Sequence, residues 1–272
     1  MSLQWSTLST IAAKELRDRL RNRWVIAVAA VFTVFALVIA YFGSAQQGAV
    51  GFRGVEVTIA SLVSLAIYLI PLIALLLGFD AIVGERERGS LDLLLSMPLT
   101  RLELVLGKYL GLAAALAAST VGGFGAAGVL LMWNAPDGAL YHYLGFMLSA
   151  VLLGLAFLSL SLLVSVRASE RARASGLTIA LWFFFVLVFD LLLLGLLVIA
   201  GDGPAGVVLP WLMLLNPADV FRILNLFGNE QVSGLLGLAS LLPELLSNPL
   251  VLAGVMLGWI TAPLALAVWS FE

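Results

Sequence analysis

The stretch Trp24–Phe42, WVIAVAAVFTVFALVIAYF, runs for 19 residues without a charge. Folded as an α-helix, a run of this length reaches about 28 Å, close to the ~30 Å thickness of the hydrocarbon core of a bilayer. A helix on the surface of a soluble domain would carry charges along one face. The stretch therefore predicts a transmembrane helix. It is longer than the apolar region of a signal peptide and 23 residues precede it, so we expect an uncleaved first span.

Five further runs towards the C-terminus are also apolar and long enough to cross a bilayer. The six predicted spans are residues 24–42, 58–82, 106–133, 141–166, 176–200 and 250–270. Over the whole chain 62% of residues are hydrophobic and only 11% are charged, which is too little charge to cover a soluble surface. The sequence predicts an all-α polytopic membrane protein with six transmembrane helices in one domain, residues 1–272.

The connection between the last two spans, residues 201–249, is long and contains two apolar pieces at 205–215 and 232–242. Each piece has about 11 residues, which is too few to cross the hydrocarbon core as a helix. We therefore expect re-entrant or interfacial helices in a connection on the periplasmic side. If one of the pieces crossed the membrane, the C-terminus would change side.

The positive charges are distributed unequally between the two sides of the predicted spans. One side holds Lys14, Arg17, Arg19, Arg21, Arg23, Arg86, Arg88, Arg101, Arg167, Arg171 and Arg173, with Lys108 just inside the third span. The other side holds only Arg53 and Arg222. Cytoplasmic segments are enriched in Lys and Arg, so the N-terminus is expected in the cytoplasm, and the protein in the inner membrane of a bacterium.

The segment before the first span, residues 1–23, has the pattern of an amphipathic helix. Its apolar positions recur every three or four residues: Trp5, Leu8, Ala12, Leu16 and Leu20. The opposite face carries Lys14, Arg17, Asp18 and Arg21. This pattern predicts an elbow helix in the cytoplasmic interface, with its cations against lipid headgroups. Two interpretations stay open, an orientation signal alone or a helix that also contacts a cytoplasmic partner.

The loop between the second and third spans, residues 84–103, contains the stretch GERERGSLDLLLSMPLTR at 84–101. Ser90 can cap a short helix, and Asp92 in the first turn suits the positive helix end. Leu91, Leu94 and Leu95 would form one apolar face, and Pro98 would end the helix. A short helix of this kind could dock in a groove of a soluble partner; the other interpretation is an ordinary solvated loop.

Several function classes are excluded or made improbable by residue usage. The chain has no cysteine and one histidine, His142, which excludes disulfides and a zinc protease with a His-Glu-x-x-His motif. Its six methionines lie in different segments and favour packing over a copper(I) path. There is no Walker Gly-x-x-x-x-Gly-Lys-Ser/Thr motif. We expect no metal, cofactor or nucleic-acid site in this chain.

Two carboxylates fall inside predicted spans, where an ionised side chain costs about 2.5–3.5 kcal/mol on insertion scales. Asp190 lies in mid-span, either as a gate or dimer-interface residue or as a hydrogen-bonded structural residue. Asp80 lies near the cytoplasmic end of the second span, where we expect a structural pair with Arg86 or with the elbow arginines.

The segment 216–226 predicts a capped outer helix, with Asn216 as cap, Pro217 as first residue and Asp219 in the first turn. Arg222 falls on its polar side. Asn216, Asp219 and Arg222 are candidate contacts for a periplasmic partner; otherwise the helix closes the outer mouth of the bundle.

The pattern Glu-x-Glu-x-Gly-Ser-Leu-Asp-Leu-Leu-Leu-Ser-x-Pro-Leu-x-Arg, followed by Gly107-Lys108, resembles the first cytoplasmic loop of ABC-2-type transporter permeases. Further matches resemble the membrane subunit of the nitrous oxide reductase maturation transporters: Arg21-Asn22-Arg23-Trp24, Pro71-Leu72-Ile73-Ala74-Leu75-Leu76-Leu77, Asp80-Ala81-Ile82-Val83-Gly84-Glu85 and Leu215-Asn216-Pro217-Ala218-Asp219. The resemblance covers nearly the whole chain.

The resemblance implies a type V exporter-like permease fold and a dimer of permease chains above two copies of a cytoplasmic ATPase, which bind ATP and Mg²⁺. It implies that the 84–103 loop forms the coupling helix, with Glu85, Glu87, Gly89, Leu91, Leu94 and Pro98 as ATPase contacts. It also implies a periplasmic β-helical partner and a role in assembling the copper centres of nitrous oxide reductase, with copper or a sulfur species handled. Two alternatives remain, an ABC-2 exporter of a lipid, peptide or drug, and a secondary transporter, although the latter predicts an inverted repeat that the sequence does not show.

Overall fold

The computed structural model describes residues 4–42, 55–132, 139–200, 205–226 and 243–271, and within these ranges the secondary structure is helical throughout. The long helices are α1 (Trp5–Arg21), α2 (Trp24–Phe42), α3 (Val55–Gly78), α6 (Arg101–Met132), α7 (Ala139–Arg167), α8 (Arg171–Phe183), α9 (Phe189–Ala200) and α12 (Pro249–Phe271). The shorter ones are α4 (Val83–Glu87), α5 (Ser90–Leu95), α10 (Ala205–Met213) and α11 (Pro217–Leu226).

The six predicted spans are confirmed as helices. In the described part of the chain, six helices are long and apolar enough to cross a membrane. The first, α2, has the bounds of the charge-free stretch, Trp24–Phe42. The fifth is composite, because α8 and α9 are joined by a π-helical turn, Phe184–Val188. Several helices extend past the apolar runs, since a helix continues until a cap or turn ends it and not where hydrophobicity ends.

The centre of the bundle is α7, which packs against α3, α6 and α12. Its Phe146 and Phe157 are fully buried. Phe124 of α6 lies between two aromatic rings, with centroids 4.8 Å from Phe32 of α2 and 5.0 Å from Phe146. The fifth span is peripheral, because most of its side chains face away from the bundle. Burial therefore follows position around α7 and not hydropathy, since the third span is the least apolar and among the most buried, whereas the fifth is the most apolar and the least buried.

The first and last described residues, Gln4 and Phe271, lie at the end of the bundle that carries the 84–103 loop. The backbone N–H of Gln4, before α1, donates to Glu103 Oε1 at 2.6 Å. Arg101 Nη1 donates to the carbonyl of Phe271, at the end of α12, at 2.7 Å. The start of α1 and the end of α12 thus both lie beside the start of α6. This agrees with six spans, because an even number of crossings brings both ends of a chain to the same side.

The turn between α10 and α11, residues 214–216, here called the tip, is held at mid-depth of the bundle. Trp259 Nε1 donates to the tip carbonyl of Leu214 at 3.0 Å. Trp259 lies 12 residues before the end of α12, about 18 Å along the helix axis. Asn216 Nδ2 donates at 2.8 Å to the carbonyl of Phe185 in the π-helical turn. The tip therefore enters the bundle between α12 and the fifth span; the second apolar piece, 232–242, and Arg53 lie outside the described residues.

Candidate functional site

The 84–103 loop folds as two short helices, α4 and α5, at one end of the bundle. They are joined at Gly89, which has φ +69°, a left-handed conformation that favours glycine. The expected capping role of Ser90 is wrong. Gly89 occupies the N-cap position, Ser90 is already helical, and its hydroxyl donates to the Glu85 carboxylate.

The apolar face predicted for α5 is present. Leu91 is buried, and Leu94 and Leu95 pack against the core. The opposite face presents two large apolar side chains that the sequence interpretation did not single out, Leu93 at 68% and Met97 at 53% exposure. The sequence could have indicated this pair, because Leu93 and Met97 lie four residues apart and do not fall on the helix face of Leu91.

The six predicted ATPase contacts differ in their exposure. Glu87, Gly89 and Pro98 are exposed, Glu85 and Leu94 are half-buried, and Leu91 faces the interior. Leu93 and Met97, which are not among the six predicted contacts, are also exposed. A soluble partner approaching this end of the bundle would meet these exposed residues first.

A buried lysine, Lys108 of α6, lies between carboxylates from two other helices. Its Nζ lies 3.5 Å from Glu15 Oε2 in α1 and 3.4 Å from Glu85 Oε1 in α4. Each carboxylate meets an arginine as well, Arg19 with Glu15 at 3.3 Å and Arg88 with Glu85 at 3.6 Å. The five side chains form a row of alternating charge from α1 to the loop.

The elbow helix α1 lies directly on α6, because glycines of α6 leave room for it. A Cβ at Gly107 would lie 2.7 Å from the Cβ of Ile11, and one at Gly111 would lie 2.6 Å from the carbonyl oxygen of Ala12. The predicted cationic face is exposed, with Lys14, Arg17 and Arg21 pointing away from the bundle. Its position in a lipid interface stays a prediction.

The predicted partners of Asp80 are wrong. Asp80 pairs with Arg171 at the start of α8, with Nε 2.7 Å from Oδ1 and Nη2 donating to Oδ2 at 2.9 Å. Arg86 instead donates to the carbonyls of Val166 and Ala168 at the end of α7. Arg171 reaches Asp80 because the turn between α7 and α8 brings the chain back beside Asp80.

A second polar cluster joins the start of α11 to the fifth span. Arg222 Nη2 lies 2.8 Å from Asp190 Oδ2, and Arg222 Nη1 lies 2.5 Å from Asp219 Oδ1. Asn216 donates to the other oxygen of Asp219 at 3.1 Å and accepts from the N–H of Ala218 at 3.0 Å. One guanidinium is thus shared by two carboxylates at membrane depth.

The accessibility of this cluster bears on the predicted periplasmic contact. Asn216 and Asp219 are fully buried, whereas the side chains of Arg222 and Asp190 are 29% and 36% exposed. The expected cap and first residue of α11 are both found. Contact with a periplasmic protein stays a prediction for these residues, and in this structure only Arg222 among them offers an accessible side chain.

Among the described residues, no group of three or more His, Cys, Asp or Glu side chains is placed to hold a metal ion. The described chain therefore combines six apolar helices with a charged helical loop at the end where both termini meet. This arrangement is that of a multi-pass membrane protein.

The chain belongs to the ABC-2 transporter family: the family described as "ABC-2 family transporter protein" matches residues 9–272. It is 48% identical over 269 residues to the "Probable ABC transporter permease protein NosY" of Pseudomonas aeruginosa, covering 97% of both chains. It is 46% identical over 266 residues to the protein of the same name from Stutzerimonas stutzeri, covering 96% of both chains.

Proposed function

We propose that this chain is the permease subunit of an ABC transporter, that a separate cytoplasmic ATPase energises it, and that it serves assembly of the copper centres of nitrous oxide reductase. The observation that carries the proposal is the similarity, over nearly the full length, to two proteins named as NosY permeases. The reductase assignment follows from the resemblance of the quoted motifs to that maturation system. The chain itself then hydrolyses no ATP.

The surface offered to the ATPase is the exposed side of the 84–103 loop. Leu93 and Met97 provide apolar area, and Glu87 and Arg88 provide charge beside it. Exposed apolar side chains on a loop outside the bilayer are the usual anchors of a protein interface. A partner that pushes on this surface acts on α5, whose other face is packed into the bundle.

In this proposal the chain transmits motion and does not carry metal along its length. The chain has no cysteine, and Met256, the most buried of the methionines that the structure describes, lies among apolar side chains. Copper(I) prefers soft thiolate and thioether ligands, usually several together. ATP-driven movement would therefore reach a periplasmic β-helical partner, which handles the copper or sulfur species.

The assembly proposed around the chain is a homodimer of permeases above two ATPase copies in the bacterial inner membrane. The start of α1, the 84–103 loop and the C-terminal end of α12 share one end of the bundle. The excess of Lys and Arg at this end supports its placement in the cytoplasm.

The test is deletion of the gene followed by isolation of nitrous oxide reductase from the same cells. We expect reductase polypeptide in normal amount but without the visible absorption of its copper centres, restored by a plasmid copy of the gene. Normal copper content in the deletion strain would reject the maturation role and favour export of a lipid, peptide or drug. In a second arm, absence of a co-purifying ATPase would reject the transporter subunit itself.

A further inference from the structure

The side chain that connects the loop to the elbow helix is Lys108. It belongs to α6, yet its ammonium group reaches Glu15 of α1 on one side and Glu85 of α4 on the other. Its side chain is only 7% exposed. A buried ammonium group without a partner is strongly unfavourable, so both carboxylates stabilise its position.

The two contacts of Lys108 are nearly equal, 3.5 Å to Glu15 and 3.4 Å to Glu85. Charge-assisted hydrogen bonds between N⁺–H and O⁻ are usually about 2.7–2.9 Å long. The ammonium group is therefore shared between the carboxylates and is not committed to either. A small displacement of α4 would shorten or lengthen one contact at the expense of the other.

The backbone at Lys108 is held more firmly than its ammonium group. Gly107 precedes it and Gly111 follows one turn later, and both lie in close backbone contact with α1. A side chain at Gly107 or Gly111 would collide with α1, so α1 and α6 are tightly packed on each side of Lys108. Glu85 belongs to the loop and is tied to it by Arg88 and by the Ser90 hydroxyl.

We propose that Lys108 is a positioning residue which holds the 84–103 loop against α1 and α6 and passes loop displacement to both helices. This inference rests on the proposed function, since it takes the loop as the element on which the ATPase acts. The row Arg19, Glu15, Lys108, Glu85 and Arg88 is the physical link. Loss of the lysine charge would leave the loop able to move without α1.

The experiment measures this link directly in the permease purified with its ATPase. The chain has no cysteine, so Arg17→Cys in α1 and Ser96→Cys in the loop, both exposed, can be spin-labelled alone. Distances between the labels are measured by pulsed electron paramagnetic resonance, without nucleotide and with a non-hydrolysable ATP analogue. Because the proposed assembly contains two permease chains, the doubly labelled chain is mixed with an excess of unlabelled chain, so that the distance within one chain is measured. With Lys108 present we expect one narrow distribution of this distance, unchanged by nucleotide.

The informative variants are Lys108→Met, Lys108→Arg and Lys14→Met. Lys14 is the other lysine of the chain, is exposed on α1, and is the matched control for charge removal. Lys108→Met should broaden the distribution and make it nucleotide-dependent, and it should lower maturation activity about tenfold, a usual size for coupling between linked sites. Lys108→Arg and Lys14→Met should behave as the parent.

The outcomes separate this inference from the proposed function. If the complex forms and Lys108→Met leaves both distributions unchanged, Lys108 is not the link, although the permease assignment stands. If no ATPase co-purifies with the parent chain, the proposed function has failed. Should Lys108→Met not fold, Glu85→Gln keeps Lys108 paired with Glu15, and an unchanged distribution in that variant would also overturn the inference.

Discussion

Arg222 Nη2 lies 2.8 Å from Asp190 Oδ2, and this ion pair joins α11 to the fifth span just after its π-helical turn. The same guanidinium meets Asp219 at 2.5 Å. π-helical turns often mark functional positions in helices, and this one presents the Phe185 carbonyl to Asn216. The pair thus holds α11 against the segment of the fifth span where the α-helix is interrupted by the π-helical turn.

Removal of the Arg222 charge should destabilise the protein more than removal of the Asp190 charge. Arg222→Met leaves two carboxylates together, whereas Asp190→Asn leaves Arg222 with Asp219. Breaking a buried ion pair costs about 3–5 kcal/mol, and we expect the lower part of this range because Arg222 is partly exposed. Thermal unfolding in detergent measures the effect.

The control for this comparison is Arg173→Met, which removes an exposed arginine from α8. Its unfolding temperature should stay that of the parent. Equal destabilisation by Asp190→Asn and Arg222→Met would mean that Asp219 does not retain the guanidinium by itself.

A methyl group at Gly111 should push α1 away from α6. It would lie 2.6 Å from the carbonyl oxygen of Ala12, which cannot yield without moving the helix backbone. Gly111→Ala should cost about 1–3 kcal/mol, as other overpacking does. Gly125→Ala on the same helix meets nothing within 4 Å and should be neutral or stabilise by about 0.5–1 kcal/mol. The measurement is the thermal unfolding temperature of the two variants. Equal temperatures would show that α1 is not tightly packed on α6.

Truncation of Leu93 should weaken association with the ATPase. Leu93→Ala removes exposed apolar area from α5 without disturbing the buried face, and we expect about a tenfold loss of affinity, equivalent to about 1.4 kcal/mol. Leu140→Ala is the matched control, because Leu140 is 56% exposed at the opposite end of the bundle. The measurement is the amount of ATPase retained by equal amounts of immobilised permease; equal retention by both variants would place the contact elsewhere.

Single cysteines in the cysteine-free chain should report opposite sides of the membrane. Ser96→Cys and Ser270→Cys lie at the end that carries the loop, and Tyr141→Cys lies at the other end. A membrane-impermeant maleimide added to spheroplasts should label only Tyr141→Cys, and permeabilised cells should allow all three to react. Labelling of Ser96→Cys from outside would invert the orientation and remove the loop from any cytoplasmic ATPase.

The spans were predictable because their signal is local. The charge-free run 24–42 specifies both the type and the length of α2, and the apolar face of α5 follows from helical periodicity. No feature within one segment could show that Asp80 would meet Arg171, which lies 91 residues later. Such pairs depend on which helix ends the tertiary fold brings together.

Lys108 illustrates the same limit within the candidate site. From the sequence, Lys108 is one more cation beside a loop, at the edge of the third span, and it adds to the excess of positive charge on that side. Its role depends on Gly107 and Gly111, which admit α1 to the helix, and on the turn that brings Glu85 back to it. The sequence could therefore locate the loop but not its connection to the elbow.

Glu103 accepts from the N–H of Gln4 with one oxygen and from the N–H of Thr100 at 2.8 Å with the other, so one carboxylate closes the first turns of both α1 and α6. These two helices are 99 residues apart at this contact. During synthesis α1 is complete before α6 exists, so the contact between Gln4 and Glu103 can form only after the start of the third span has been made. Docking of α1 onto the bundle is thus a late step in the assembly of this chain.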